Sequence, residues 1–132
     1  SDVCSSDLSL DLTPMNTANV TIMYEMFRNC SGLTSLDLTQ LNTSNVSKMT
    51  AMFEGCRGLT SLDLTSLDTS KVTDMRIIFL SCKNLTTITT GPNFKFVGTN
   101  YNLSGTWQNT AGETFTSGNF PSNVADTYTK IK

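Results

Sequence analysis

The sequence predicts an α/β repeat fold, with parallel strands on one side, short helices on the other and a small β-rich C-terminal cap. Three observations predict it. Motifs recur at a fixed spacing of 26 residues: Leu10-Asp11-Leu12, Leu36-Asp37-Leu38 and Leu62-Asp63-Leu64, then Val20/Val46/Val72, Met23/Met49/Met75, Phe27/Phe53/Phe79 and Cys30/Cys56/Cys82. Within each copy the apolar residues first alternate and then switch to helical spacing. After Gly91-Pro92 the period stops, and the following segment holds 7 of the chain's 11 aromatic residues. A period of this length marks stacked supersecondary units, none of which buries its apolar face alone, so the expected architecture is a solenoid.

The unit from Leu33 to Gly58 justifies each element. Leu33-Thr34-Ser35-Leu36-Asp37-Leu38 has the L-x-x-L-x-L form of a leucine-rich-repeat strand. Strand alternation points Leu36 and Leu38 inward and Ser35, Asp37 and Thr39 outward. Leu41 adds a buried contact in the connecting loop. Thr43-Ser44-Asn45 reads as a cluster of helix N-cap residues. Val46, Met49, Met52 and Phe53 then occupy one face of a short helix, with Ser47, Lys48, Thr50 and Glu54 toward water. Gly55 ends that helix, and Cys56 precedes the next strand at Leu59. In the third unit Ile77, Ile78 and Leu80 replace Ala51, Met52 and Glu54. These apolar additions predict that something packs over that part of the chain.

The composite C-x-x-L-T-S-L-D-L-T-x-L-[ND]-T-S-[NK]-V-[ST]-x-M-x-x-[MI]-F, borne by residues 30–53 and 56–79, resembles the long-repeat BspA-like leucine-rich-repeat surface proteins of bacteria. The resemblance covers residues 9–90. It implies a secreted or wall-anchored protein on the extracellular surface of a Gram-positive bacterium, acting in adhesion. Residues 9–90 are accordingly expected to form about three repeats and a final strand of a leucine-rich-repeat solenoid, the C-terminal fragment of a longer array.

Residues 91–132 read as the cap that a solenoid end requires. Thr106-Trp107-Gln108 and Thr114-Phe115-Thr116 flank Asn109-Thr110-Ala111-Gly112 as a β-hairpin. Phe94-Lys95-Phe96 and Tyr128-Thr129-Lys130 are candidates for a second strand pair. At the other end, residues 1–8 (Ser1 to Leu8) match a translated sequencing adapter. They are expected to be a non-native leader, with the natural chain extending upstream. Asp7 supports this, because it stands where Leu33 and Leu59 open the later strands.

Composition narrows the function. Charged residues make up 15% and the formal net charge is −2; without the leader, nine acids face nine bases. No basic patch steers nucleic acid, and no apolar run approaches the roughly 20 residues of a membrane span. The chain has no His, so it lacks the commonest general base and the commonest zinc ligand. It has no Gly-rich phosphate loop, G-x-S-x-G elbow or Cys/His pair. The sequence therefore predicts a non-enzymatic protein without cofactor or resident metal.

The candidate site is the outward strand face. Ser9, Ser35, Ser61 and Thr87 form one row; Asp11, Asp37, Asp63 and Thr89 a second; Thr13, Thr39 and Thr65 a third. Strand rows lie about 4.8 Å apart, so stacked carboxylates repel or attract a cation. One reading is a recognition strip for a host or community surface protein or glycan, with Ca²⁺ as a variant. The other is a solvated face on a structural spacer within a larger cell-wall protein. The module is expected to be a monomer or to self-associate weakly through its N-terminal edge. Cys30, Cys56 and Cys82 read as a column of buried thiols acting as small apolar residues, with one bridged adjacent pair and an odd thiol as the alternative, and the Met columns read as core filler.

Overall fold

The computed structural model describes Leu12 and residues 16–132; residues 1–8, expected to be a non-native leader, lie outside the described residues. Five strands form one mixed sheet: β1 (Ser61–Leu64), β2 (Thr87–Thr90), β3 (Trp107–Gln108), β4 (Thr114–Phe115) and β5 (Asp126–Lys130), in the order β1-β2-β5-β3-β4. β1 and β2 run parallel in the 26-residue register, Ser61 opposite Thr87 and Leu64 opposite Thr90. β5 returns antiparallel to β2, with Thr87 opposite Thr129 and Thr89 opposite Thr127. β3 joins the far edge of β5 and pairs with β4 around the turn at Asn109–Gly112.

There is no helix among the described residues. This corrects the predicted fold class: the chain is a small β-rich domain with one mixed sheet, not an α/β leucine-rich-repeat solenoid. The physical reason is where the amide hydrogens of the presumed helix go. In an α-helix each N–H bonds the carbonyl four residues back. Here the Met49, Ala51, Phe53 and Gly55 N–H groups donate sideways to the carbonyls of Asp74, Arg76, Ile78 and Leu80, at 2.9, 3.0, 3.1 and 2.8 Å. The alternate amides close tight turns, Met52 to Met49 O, Glu54 to Ala51 O and Cys56 to Phe53 O. Met23, Glu25, Phe27 and Asn29 donate likewise to Lys48, Thr50, Met52 and Glu54.

Such a ribbon of turns requires left-handed backbone at fixed positions. Glu25, Ala51 and Ile77 have φ of 57°, 59° and 51°, and Asn29, Gly55 and Ser81 have 59°, 75° and 62°. Each non-glycine position costs about 1–2 kcal/mol, most at β-branched Ile77. A helix of this length is marginal alone, whereas each sideways bond also joins two units. The lateral arrangement therefore wins.

The core holds the recurring apolar residues. Phe27, Phe53 and Phe79 stack with centroids 5.8 and 6.3 Å apart and interplanar angles of 7°. Tyr101 closes the stack edge-on to Phe79 at 6.4 Å. Each buried ring contributes about 1.5–3 kcal/mol of transfer free energy. Gly91 lets the chain press onto its neighbour, because a Cβ there would collide with the Thr65 carbonyl oxygen.

Two further expectations change. Cys30 is disulfide-bonded, so the column of three equivalent thiols reduces to Cys56 and Cys82. These are buried and free, and they donate to the Phe27 and Phe53 carbonyls at 3.1 Å. The second strand pair in the tail does not form either. Residues 128–130 belong to β5, while Phe94–Phe96 lies outside any strand and is held by Thr69 and Ser122.

Candidate binding face

The outward rows can now be placed. Ser9, Asp11 and Thr13 lie outside the described residues. Ser35, Asp37, Thr39, Ser61, Asp63 and Thr65 are exposed, and Thr87 and Thr89 are half-buried. Their intervening partners Leu36, Leu38, Leu62, Leu64 and Ile88 are buried. Only β1 and β2 carry these residues on paired strands; Ser35–Leu38 alternates in the same sense without being a strand.

β5 extends the face by one strand. Directly opposed residues of an antiparallel pair share a face, so Thr129 joins the row of Ser61 and Thr87, and Thr127 joins that of Asp63 and Thr89. The Thr89 and Thr127 hydroxyls lie 3.3 Å apart. Thr127 and Thr129 were missed in the sequence, although Asp126-Thr127-Tyr128-Thr129-Lys130 carries a legible signal: two polar residues alternating about the buried Tyr128.

The carboxylates turn back onto their own chain. Asp37 Oδ1 accepts from the Thr39 N–H at 2.9 Å and from the Thr39 hydroxyl at 2.5 Å. Asp63 Oδ1 accepts from the Thr65 N–H at 3.0 Å and from the Thr65 hydroxyl. Each forms an Asx turn that ends the extended segment. The Thr39 hydroxyl, then its N–H, hold the Asp37 carboxyl below the usual carboxylate range. Among the described residues no group of three or more acidic or thiol side chains is placed to hold a metal ion. The arrangement offers hydroxyl donors and acceptors across neighbouring strands, with carboxylates aimed by the turns.

The other corner of each unit uses the same chemistry internally. Asn42 Oδ1 accepts from the Ser44 N–H and hydroxyl, and Asp68 Oδ1 from the Ser70 N–H. Ser70, first through its side chain, lowers the Asp68 pKa. On the turn side Arg28 bridges Glu25 and Glu54, while Arg76 pairs with Asp74 at 2.8 Å and drives that carboxyl far below its ordinary value.

Residues 3–111 match the family described as Mycoplasma protein of unknown function, DUF285. The chain belongs to this family. The match takes in the repeated units and runs past β3 of the tail. No curated protein and no solved structure matches the chain. The DUF285 description names no activity. No helix among the described residues is long and apolar enough to cross a membrane.

Proposed function

We propose that this DUF285 domain is a non-enzymatic binding module that meets a partner through the face of β1, β2 and β5. The observation that carries the reading is the continuity of that face. Ser61, Thr87 and Thr129 form one polar row across three paired strands, and Asp63, Thr89 and Thr127 another. Ser61, Asp63 and Thr129 are exposed and Thr87, Thr89 and Thr127 half-buried, while the alternate residues form the core. The partner class is a surface protein or glycan of a host or neighbouring cell, and the location is the extracellular surface. The resemblance to BspA-like proteins supports both.

The test is binding of the full chain, immobilised at high density, to an array of matrix proteins and mucin glycans. A Thr89→Arg/Thr127→Arg pair places bulk and charge on the face without touching the core. Specific binding lost in that variant supports the reading. Binding that persists in it overturns the strand face as the site, and no binding to any array member favours a structural spacer instead.

A further inference from the structure

Where the 26-residue register ends, the tail lies against the third unit. The Ile77 N–H donates to Asn100 O at 2.8 Å and the Phe79 N–H to Tyr101 O at 3.1 Å. Tyr101 is buried among Phe79, Phe96 and Phe120. The residues on either side of it, Asn100 and Asn102, are exposed, and Leu103 is again buried. Asn102 has φ of 56°, which turns the chain so that both amides border one groove of about 350 Å³ against Leu80 and Ser81.

The groove lining has no charged residue. Leu80 and Leu103 supply its apolar part; Ser81, Thr99, Asn100, Asn102, Ser104 and Ser117 supply the polar part. Among the described residues, the side chains of Ser81, Thr99, Asn100, Asn102 and Ser104 make no hydrogen bond. Asn19, Asn29 and Asn93 share that state, while most other asparagine side chains are engaged. Asn42 is engaged by Ser44, Asn45 by Ala18 O, Asn84 by Arg57 O and Asn123 by Pro92 O. Leu80 also stands where the preceding unit has Glu54, so the charge at that register position is removed only here.

We infer that this groove is a second binding site, separate from the strand face, for a neutral saccharide. Hydroxyls and carboxamides each donate and accept, which suits a ligand that is itself a dense array of hydroxyls. The absence of lining charge disfavours an ion, since nothing repays its desolvation. The leucines offer apolar contact to the C–H face of a sugar ring. The volume is at the lower end for small-molecule sites and fits a mono- or disaccharide.

The test is an NMR titration of the full chain with neutral methyl hexosides and methyl N-acetylhexosaminides, with glucuronate and N-acetylneuraminate as anionic probes. The Asn100 and Asn102 side-chain amides are the reporters. A saturable shift of those amides with a neutral glycoside is expected. Asn100→Ala and Asn102→Gly should each weaken it about tenfold, the loss of one well-made hydrogen bond. Asn102→Gly keeps the left-handed backbone, so folding is preserved, and the unperturbed remainder of the spectrum verifies it. The Thr89→Arg/Thr127→Arg variant should titrate like the parent. No saturable shift with any neutral glycoside overturns the site, as does binding unchanged in both asparagine variants or confined to the anionic probes. Shifts at Thr89 and Thr127 with a silent groove overturn it while leaving the strand-face reading intact.

Discussion

Thr43 and Asp68, one unit apart, exchange two hydrogen bonds: the Thr43 hydroxyl donates to Asp68 O at 2.9 Å and accepts from the Asp68 N–H at 2.8 Å. Thr17 does the same with Asn42, and Thr69 with Lys95. All three threonines are buried. Replacing Thr43 by isosteric Val strands an N–H and a carbonyl away from water, a loss of about 2 kcal/mol. Thr43→Ser, which keeps the hydroxyl, should lose less than half as much. Urea midpoints of the two variants decide it, and equal midpoints would refute the role of the hydroxyl.

Phe53 lies between Phe27 and Phe79 and is fully buried. Phe53→Ala should destabilise by about 3–5 kcal/mol through lost transfer energy and the cavity left behind. Phe53→Leu should retain most of that stability. Thermal and chemical denaturation of both variants provide the comparison.

The acid limb of stability follows from the carboxylates. Hydrogen bonds from Thr39, Ser70, Arg76 and Thr110 hold Asp37, Asp68, Asp74 and Asp126 below their ordinary values in the folded chain. The folded state therefore binds fewer protons than the unfolded one near their common unfolded value of about 3.9. Their contribution is complete above that value and is lost as pH falls through the folded values. Urea stability should be level from about pH 7 to about pH 5 and decline below about pH 4. Arg76→Ala should move the Asp74 titration, followed by NMR, back toward the ordinary range; an unmoved Asp74 would break the assignment.

The thiols contribute to the alkaline limb. Burial pushes Cys56 up to about 11 and Cys82 up to about 12, while an unfolded thiol titrates near about 8.5. The stability of keeping them neutral is intact below that unfolded value and is lost as pH rises through the folded ones. Native protein should resist a thiol-specific reagent at pH 8 and react fully in denaturant. Rapid labelling of the native chain would contradict the buried placement.

The Tyr128 hydroxyl is buried without a hydrogen-bond partner; the Thr90 hydroxyl near it donates to Val124 O at 2.8 Å. Tyr128→Phe should therefore be neutral or stabilise by up to about 1 kcal/mol. Retained ring contacts with Phe115 and Phe120, at 5.8 and 5.0 Å, keep the packing equal. A clear loss of stability would reveal a polar contact at that oxygen.

The outward rows were readable in part. Alternation around Leu62 and Leu64 marks Ser61, Asp63 and Thr65 as exposed, because a strand has no other way to bury two leucines. Thr127 and Thr129 were not placed on the face, because the pairing of β5 with β2 brings them opposite residues 38 and 42 positions away, Thr89 and Thr87. The groove was announced only by Leu80, an apolar residue where Glu54 stands earlier; its amides come from a segment with no repeat at all.

The sequence by itself determined the 26-residue register, the buried columns and the outward polar rows, since these depend only on which residues avoid water. The backbone that serves those columns was decided by tertiary structure. Val46, Met49, Met52 and Phe53 suit one face of a helix, yet the same spacing is met by a ribbon of turns. The choice turns on amide hydrogens, which side-chain periodicity does not encode. With a neighbouring unit alongside, the carbonyls of Asp74, Arg76, Ile78 and Leu80 accept them sideways, and the helix loses to a bond that exists only once the units meet.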